Sequence, residues 1–215
     1  MILGRSVAAV LLLSVAANCT GPQETSAALP VTDQTLLEVP SARMRSPDGS
    51  MTLIFGGEDN PVLTLSAGFF RRSEVGEIRT TSRAAWAPDS KSFFVNDSGS
   101  ASWSTLRIWT VNQRAEAVET SNIREAAIAE LGRLNGCARV PKPDATTTGM
   151  GWSPDGRRIY VLAQVRRQTG ACAWAGIDYI LVVAEVATGQ LVEVAQEEQA
   201  RRQYPTLPWA PVTDL

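Results

Sequence analysis

Gly151-Trp152-Ser153-Pro154-Asp155-Gly156-Arg157-Arg158-Ile159-Tyr160-Val161-Leu162 reads as a strand, a tight turn and a second strand. Proline presets φ for the second position of a type I turn. Asp bonds its own neighbouring backbone, and Gly accepts a positive φ without a Cβ clash. The β-branched and aromatic run after the turn suits a pleated, buried surface. Weaker copies stand at Ala85-Trp86-Ala87-Pro88-Asp89-Ser90, Arg45-Ser46-Pro47-Asp48-Gly49 and Pro208-Trp209-Ala210-Pro211-Val212-Thr213. Their prolines are 41, 66 and 57 residues apart, an irregular spacing. A recurring unit of this size predicts a repeat architecture. The Trp before three of the turns is large enough to fill the space between adjacent sheets.

These residues resemble the Trp-Ser-Pro-Asp-Gly repeat of TolB-like β-propellers. The match is full at Trp152 to Gly156. Ser90 replaces the final Gly in the second copy, Arg45 replaces Trp in the first, and Val212-Thr213 replaces Asp-Gly in the last. The resemblance covers residues 36–215 and implies an all-β fold: an incomplete or small propeller-like assembly of about three four-stranded blades. A closed propeller needs at least four blades. The two chain ends are therefore expected to cap the assembly, or else a partner or second copy covers its edges.

The chain has 215 residues, 44% of them hydrophobic, and a formal net charge of −2. That is enough for a sizeable core and lacks the basic footprint of a nucleic-acid binder. No histidine occurs, which excludes His-based triads and His-ligated metals. Residues 1–18 read as a signal peptide: Arg5 gives a short positive region, and Val7 to Ala17 an apolar run too short to span a bilayer. Cys19 follows Val15-Ala16-Ala17-Asn18, which resembles the lipobox of bacterial lipoproteins except at Asn18. The expectation is a periplasmic, membrane-anchored lipoprotein acylated at Cys19, with secretion as a soluble protein as the alternative. Residues 19–35, rich in Thr, Ser, Pro, Gln and Ala, read as a flexible tether.

Blade one is expected to hold strands at 36–39, 51–55, 62–66 and 75–80. Blade two is expected at 83–86, 92–95, 105–111 and 115–119, and blade three at 150–152, 158–164, 179–187 and 190–195. Between the last two, residues 120–148 form an insertion. Its helix is capped at Asn122 with Glu125 three residues on, and presents Ile123, Ala127, Ile128, Leu131 and Leu134 on one stripe. Gln196 to Gln199 reads as a solvated connection before the chain re-enters the turn motif at Trp209.

Asp48, Asp89 and Asp155 occupy equivalent turn positions, which favours local backbone bonding over metal or acid–base chemistry. Glu58-Asp59 reads as a solvated turn. Ser98, Ser100 and Ser102 have no base to activate them, so no catalytic residue, metal or cofactor is predicted. The resemblance places the b–c loops and the d-to-a crossovers on one face. That face would carry Trp103, Arg166, Arg167 and Trp174, the residue types of an interface hot spot. It would also bring Cys137 and Cys172 together, which predicts a disulfide in an oxidising compartment. The function expected is non-enzymatic protein binding or scaffolding in the bacterial cell envelope, toward a periplasmic or envelope partner. The alternatives are an accessory or immunity-type lipoprotein that inhibits a partner, and a propeller enzyme without a recognisable motif.

Overall fold

A computed structural model describes residues 29–37, 41–57, 61–68, 71–100, 103–112, 114–137, 145–165 and 176–209. In chain order the strands are β1 (Thr35–Leu36), β2 (Ser41–Arg45), β3 (Met51–Gly56), β4 (Val62–Ala67), β5 (Arg71–Glu77), β6 (Arg83–Trp86), β7 (Ser92–Ser100), β8 (Trp103–Val111) and β9 (Ala117–Thr120). Helix α1 (Asn122–Leu134) follows, then β10 (Ala145–Trp152), β11 (Arg158–Val165), β12 (Tyr179–Glu185), β13 (Leu191–Gln196) and helix α2 (Glu197–Gln203). The fold is all-β: three four-stranded antiparallel blades, β2–β5, β6–β9 and β10–β13, with one helical insertion between the second and third.

The repeat turns explain why the chain folds this way. In each, the fourth residue donates its N–H to the carbonyl of the first: Gly49 to Ser46, Ser90 to Ala87, and Gly156 to Ser153. That fourth residue has φ of +72°, +61° and +72°, so Gly, or a strained Ser, is required there. Where the first residue is Ser, its hydroxyl also receives the N–H across the turn, from Met51 to Ser46 and from Arg158 to Ser153.

The tryptophans then bolt blade to blade. Trp86 donates Nε1–H to the Met44 carbonyl of blade one, and Trp152 donates to the Ala85 carbonyl of blade two. Met44 and Ala85 are equivalent residues, each two before the first residue of its own turn. Arg45 stands at the Trp position of blade one, which has no blade before it among the described residues. Arg45 folds instead over its own turn, donating Nε–H to the Gly49 carbonyl.

Two cores fill the gaps between blades. Leu53, Phe55, Leu63 and Leu65 of blade one meet Trp86, Phe93, Val95 and Trp109 of blade two. Phe93 stacks on Trp109 with centroids 5.1 Å apart. The opposite face of blade two, Phe94, Leu106 and Ile108, meets Trp152, Ile159, Val161 and Val182 of blade three, with Ile123, Ala127 and Leu131 of α1 filling the wedge.

Several boundaries differ from the sequence-based expectation. The segment at 36 is not the first strand of blade one. It pairs with β6 as β1 (Thr35↔Ala84), while β2 at 41–45 opens blade one. Val31 exchanges backbone hydrogen bonds with Trp152, so residues 31–36 lace the first strands of blades two and three together. Gly151 is needed beneath that lace, since a Cβ there would lie 2.6 Å from the Val31 carbonyl oxygen. The last strand of blade one is 71–77, not 75–80.

Between the expected strands at 92–95 and 105–111 the chain is mostly strand, since β7 runs on to Ser100 and β8 starts at Trp103, with Ser98 opposite Ser104. β10 begins at Ala145, where a loop was expected, because its Thr run pairs with β11 and touches β8 in parallel at Thr147↔Thr105. Blades two and three, together with β1, therefore form one nine-stranded sheet. Side chains complete that joint: Asn96 donates Nδ2–H to the Gly149 carbonyl and accepts the Gly149 N–H, and the Ser104 and Thr148 hydroxyls lie 2.6 Å apart. Ser121, not Asn122, is the N-cap of α1, with no side-chain capping bond, and Ile128 of the predicted stripe is only half-buried.

Candidate functional site: a cleft at the outer edge of blade three

After β13 the expected solvated connection is helix α2. Its first turn carries Glu197 and Glu198 and its last turn Arg201 and Arg202, the order that complements the helix dipole. The i,i+4 pairs Glu197–Arg201 (2.9 Å) and Glu198–Arg202 (2.7 Å) add support. Ala200 is buried against the face of blade three opposite α1, together with Leu207, Tyr160, Leu181 and Val183. Tyr204 packs edge-on against Tyr160 at 5.0 Å and donates its hydroxyl to Glu193 Oε2 at 2.6 Å. Burial first, and then that carboxylate, push the Tyr204 phenol above its ordinary pKa. Glu193 Oε1 is buried and accepts no hydrogen bond among the described residues.

Trp209 completes this cover and is no fourth blade strand. Its Nε1–H bonds the Tyr204 carbonyl, Arg201 lies over its ring at 5.0 Å, and the chain turns at Pro205–Thr206. The remainder of the fourth turn motif lies outside the described residues.

With α1 on one face of blade three and α2 on the other, the strand between them, β13, forms the floor of a cleft of ≈ 480 Å³. One wall is the end of α1: Glu130, Arg133 and Leu134. The other is Glu198, Gln199 and Arg202 of α2, and Val194 and Gln196 supply the floor. Arg133 grips Glu130 with two hydrogen bonds of 2.8 and 2.6 Å, holding the Glu130 carboxyl below the usual range. Each wall therefore carries one acid and one base, already paired. Leu134 and Val194 give the cleft an apolar depth continuous with the core. No signal marked this cleft in the sequence, because it depends on α2.

The turn aspartates bond the local backbone. Asp48 accepts the Ser46 hydroxyl (2.7 Å) and the Ser50 N–H, Asp155 accepts the Ser153 hydroxyl (2.6 Å) and the Arg157 N–H, and Asp89 accepts the Lys91 N–H. The turns also touch one another. Asp48 donates its N–H to Ser90 Oγ, and a Cβ at Gly156 would lie 2.8 Å from the Asp89 carboxyl carbon. Among the described residues no group of three or more His, Cys, Asp or Glu could hold a metal ion.

Of the predicted interface residues, Arg166, Arg167 and Trp174 lie outside the described residues, as do Cys19, Cys172, Glu58 and Asp59. Trp103 opens β8, and nothing of its side chain is described. Cys137 follows α1, its N–H bonded to the Gly132 carbonyl. Close to it, Asn135 donates Nδ2–H to the Ile177 carbonyl (3.0 Å) and accepts the Ile177 N–H (3.3 Å). The end of the insertion thus meets the described end of the blade-three b–c connection.

This geometry defines a class: an all-β, three-bladed, propeller-like stack. No family model and no curated protein matches the chain. Among solved structures, Kuenenia stuttgartiensis hydrazine synthase is similar at 19% identity and a TM-score of 0.35, over 72% of this chain and 36% of that one. The chain thus spans about a third of the length of that structure.

Proposed function

We propose that this chain is a non-enzymatic protein-binding or scaffolding module of the bacterial cell envelope, built from TolB-like repeats. It would be exported by residues 1–18 and held at the membrane through acylated Cys19. The observation that carries the reading is the self-sealed stack. Among the described residues blade one ends on a mostly polar face and blade three under α2, which supports a stack that stands without a second copy. What stays open is a concave cleft beside α1 and the blade-three loop. Binding sites commonly sit on connections carried by a rigid scaffold. A Cys137–Cys172 disulfide would pin the insertion to that loop, and mass mapping without reductant should find the linked peptide.

The test is photo-crosslinking in intact cells. A photoreactive side chain at Arg124, on α1, should trap a distinct envelope protein. The same group at Arg43, on the outer face of blade one, should not. Equal products from both positions, or none from Arg124, would count against the reading.

A further inference from the structure

The chain joins the stack from one end. Val31 pairs with Trp152, the last residue of β10 before its turn, and Thr35 and Leu36 pair with Ala84 and Arg83, further from the turns. Residues 31–36 therefore run away from the Pro-Asp-Gly turns. The chain before them leaves on the turn side of the stack, where Leu29 is 64% exposed. Eleven residues, 20–30, separate Cys19 from Val31. Fully extended, a segment of that length spans at most about 40 Å, about the width of a domain of this size. A lipid on Cys19 would thus hold the turn end of the stack nearest the membrane.

The charges of that end fit such a surface. Arg45, Arg71, Arg72, Lys91, Arg114 and Arg157 are exposed there, on the turns or on the hairpins between third and fourth strands. None of them makes an ion pair among the described residues. The carboxylates of the same end are engaged locally. Asp48 and Asp155 accept donors of their own turns, Asp89 accepts the Lys91 N–H, Glu116 is bonded by Asn112, and Glu185 pairs with Arg158. With Arg158 included, the cations outnumber the carboxylates here, in a chain whose net charge is −2.

We propose that the turn end of the stack rests on an anionic lipid surface, with these arginines against the phosphates. The docking rests on the acylation of Cys19 proposed above and is independent of the cleft. Each Arg or Lys brought to such a surface strengthens the contact about fivefold. A short tether supplies a high local concentration, so a small excess of cations suffices. Arg suits this partner, because its planar fork can bond two phosphate oxygens at once. The opposite end of the stack, with Arg79 and Arg83, then faces away from the bilayer.

The test uses the acylated full chain in vesicles that carry an energy-transfer acceptor among their headgroups. A fluorescent amino acid stands at Ala187 on the turn end, or at Thr80 on the opposite end. In vesicles containing phosphatidylglycerol, transfer from Ala187 should exceed transfer from Thr80. High salt, or phosphatidylcholine alone, should shrink the difference. Arg71→Glu with Arg72→Glu should lower the ratio of docked to undocked protein at least tenfold, whereas Arg79→Glu with Arg83→Glu should leave it unchanged. Equal transfer from the two positions, or transfer indifferent to lipid charge, would overturn the docking and leave the anchor standing. A chain without acyl groups on Cys19 would remove both. A photoreactive side chain at Ala187 that traps an envelope protein in place of lipid would give this end to a protein, and would also overturn the proposal. The crosslink from Arg124 tests the cleft separately and is untouched by any of these outcomes.

Discussion

Among the described residues blade one and blade three each have one face with no blade beyond it, and the two faces are built differently. On blade one the outward rows are Ser41–Gly56–Val62–Glu77, Arg43–Ile54–Thr64–Glu74 and Arg45–Thr52–Ser66–Arg72, mostly polar with Ile54 and Val62 the apolar exceptions. Water can cover that face directly. On blade three the outward side chains include Met150, Tyr160, Leu181 and Val183, all buried because Ala200, Tyr204, Leu207 and Trp209 lie over them. Stacked repeats generally need terminal units with a polar outer face. This chain changes the residues at one end and adds a cover at the other. The same period-2 alternation generates both faces, so strand pattern alone does not say which end is finished and which needs more chain.

The largest effect should come from removing the cover. Truncation after Gln196 exposes the apolar face of blade three, and the burial of Leu207 alone is worth about 1.5–3 kcal/mol. The truncated chain should aggregate or self-associate in light scattering, whereas the full chain should remain monomeric. The converse change breaks the comparison from the other side. Thr64→Val with Ser66→Val on blade one should leave the melting temperature nearly unchanged but create self-association. A monomeric truncation would mean that the cover is dispensable.

Next comes the repeat position itself. Trp152→Ala removes a fully buried ring between two blades and should cost about 3–5 kcal/mol in denaturant unfolding. Arg45→Ala, the equivalent residue that bonds only its own turn among the described residues, should stay within about 0.5 kcal/mol. Similar losses at the two positions would contradict the bolt assigned to the tryptophans.

How much of this was legible follows from the same residues. The Ser-Pro-Asp-Gly turns and the Trp before them are local chemistry, so the turns and the local bonding of the aspartates could be read directly, while the three blades followed from the resemblance those turns carry. Arg45 looked like a decayed copy of the motif. In the structure it folds back over its own turn, with Nε–H on the Gly49 carbonyl. Trp209 looked like the start of a fourth copy, but its Nε1–H bonds the nearby Tyr204 carbonyl and reaches no preceding blade. β1 was misassigned because its partner, β6, lies 47 residues further along the chain, and two residues carry no pattern. The cleft was illegible for a related reason: α2 is polar on most of its surface and buries only Ala200. Its placement is set by Leu207 and Tyr204 beyond it.

A smaller effect separates the two ends by alkali. Tyr204→Phe leaves both Glu193 oxygens without a donor, and losing a hydrogen bond to a charged group costs about 1.5–3 kcal/mol, discounted here for partial exposure. In the wild type the phenol is raised above its ordinary value of 10, so its contribution is complete below pH 10 and declines as pH rises beyond it. The fluorescence of Trp209 should therefore shift first on alkaline titration, ahead of the blade interfaces. Tyr204→Phe should remove that early phase.

The smallest effect belongs to acid and to the turns. Asp48 is pulled down from 3.8 to about 2, first by the Ser46 hydroxyl and then by the Ser50 N–H and hydroxyl. Asp155 is lowered in the same way, first by Ser153 and then by the Arg157 N–H. A carboxyl whose folded pKa is depressed stabilises the fold above its unfolded value, and that stability is lost as pH falls through the folded one. The window runs from about pH 4 to 2. Both groups are exposed, so the loss should be a modest fall in melting temperature spread across that window. Asp48→Asn should flatten part of the slope and Asp155→Asn a further part. Because Asp48 donates its backbone N–H to Ser90 Oγ, the side-chain change leaves the contact between the turns of blades one and two in place. An unchanged slope in the double variant would show that acid acts elsewhere. Acid would then no longer mark the turns, and only alkali would distinguish one end of the stack from the other.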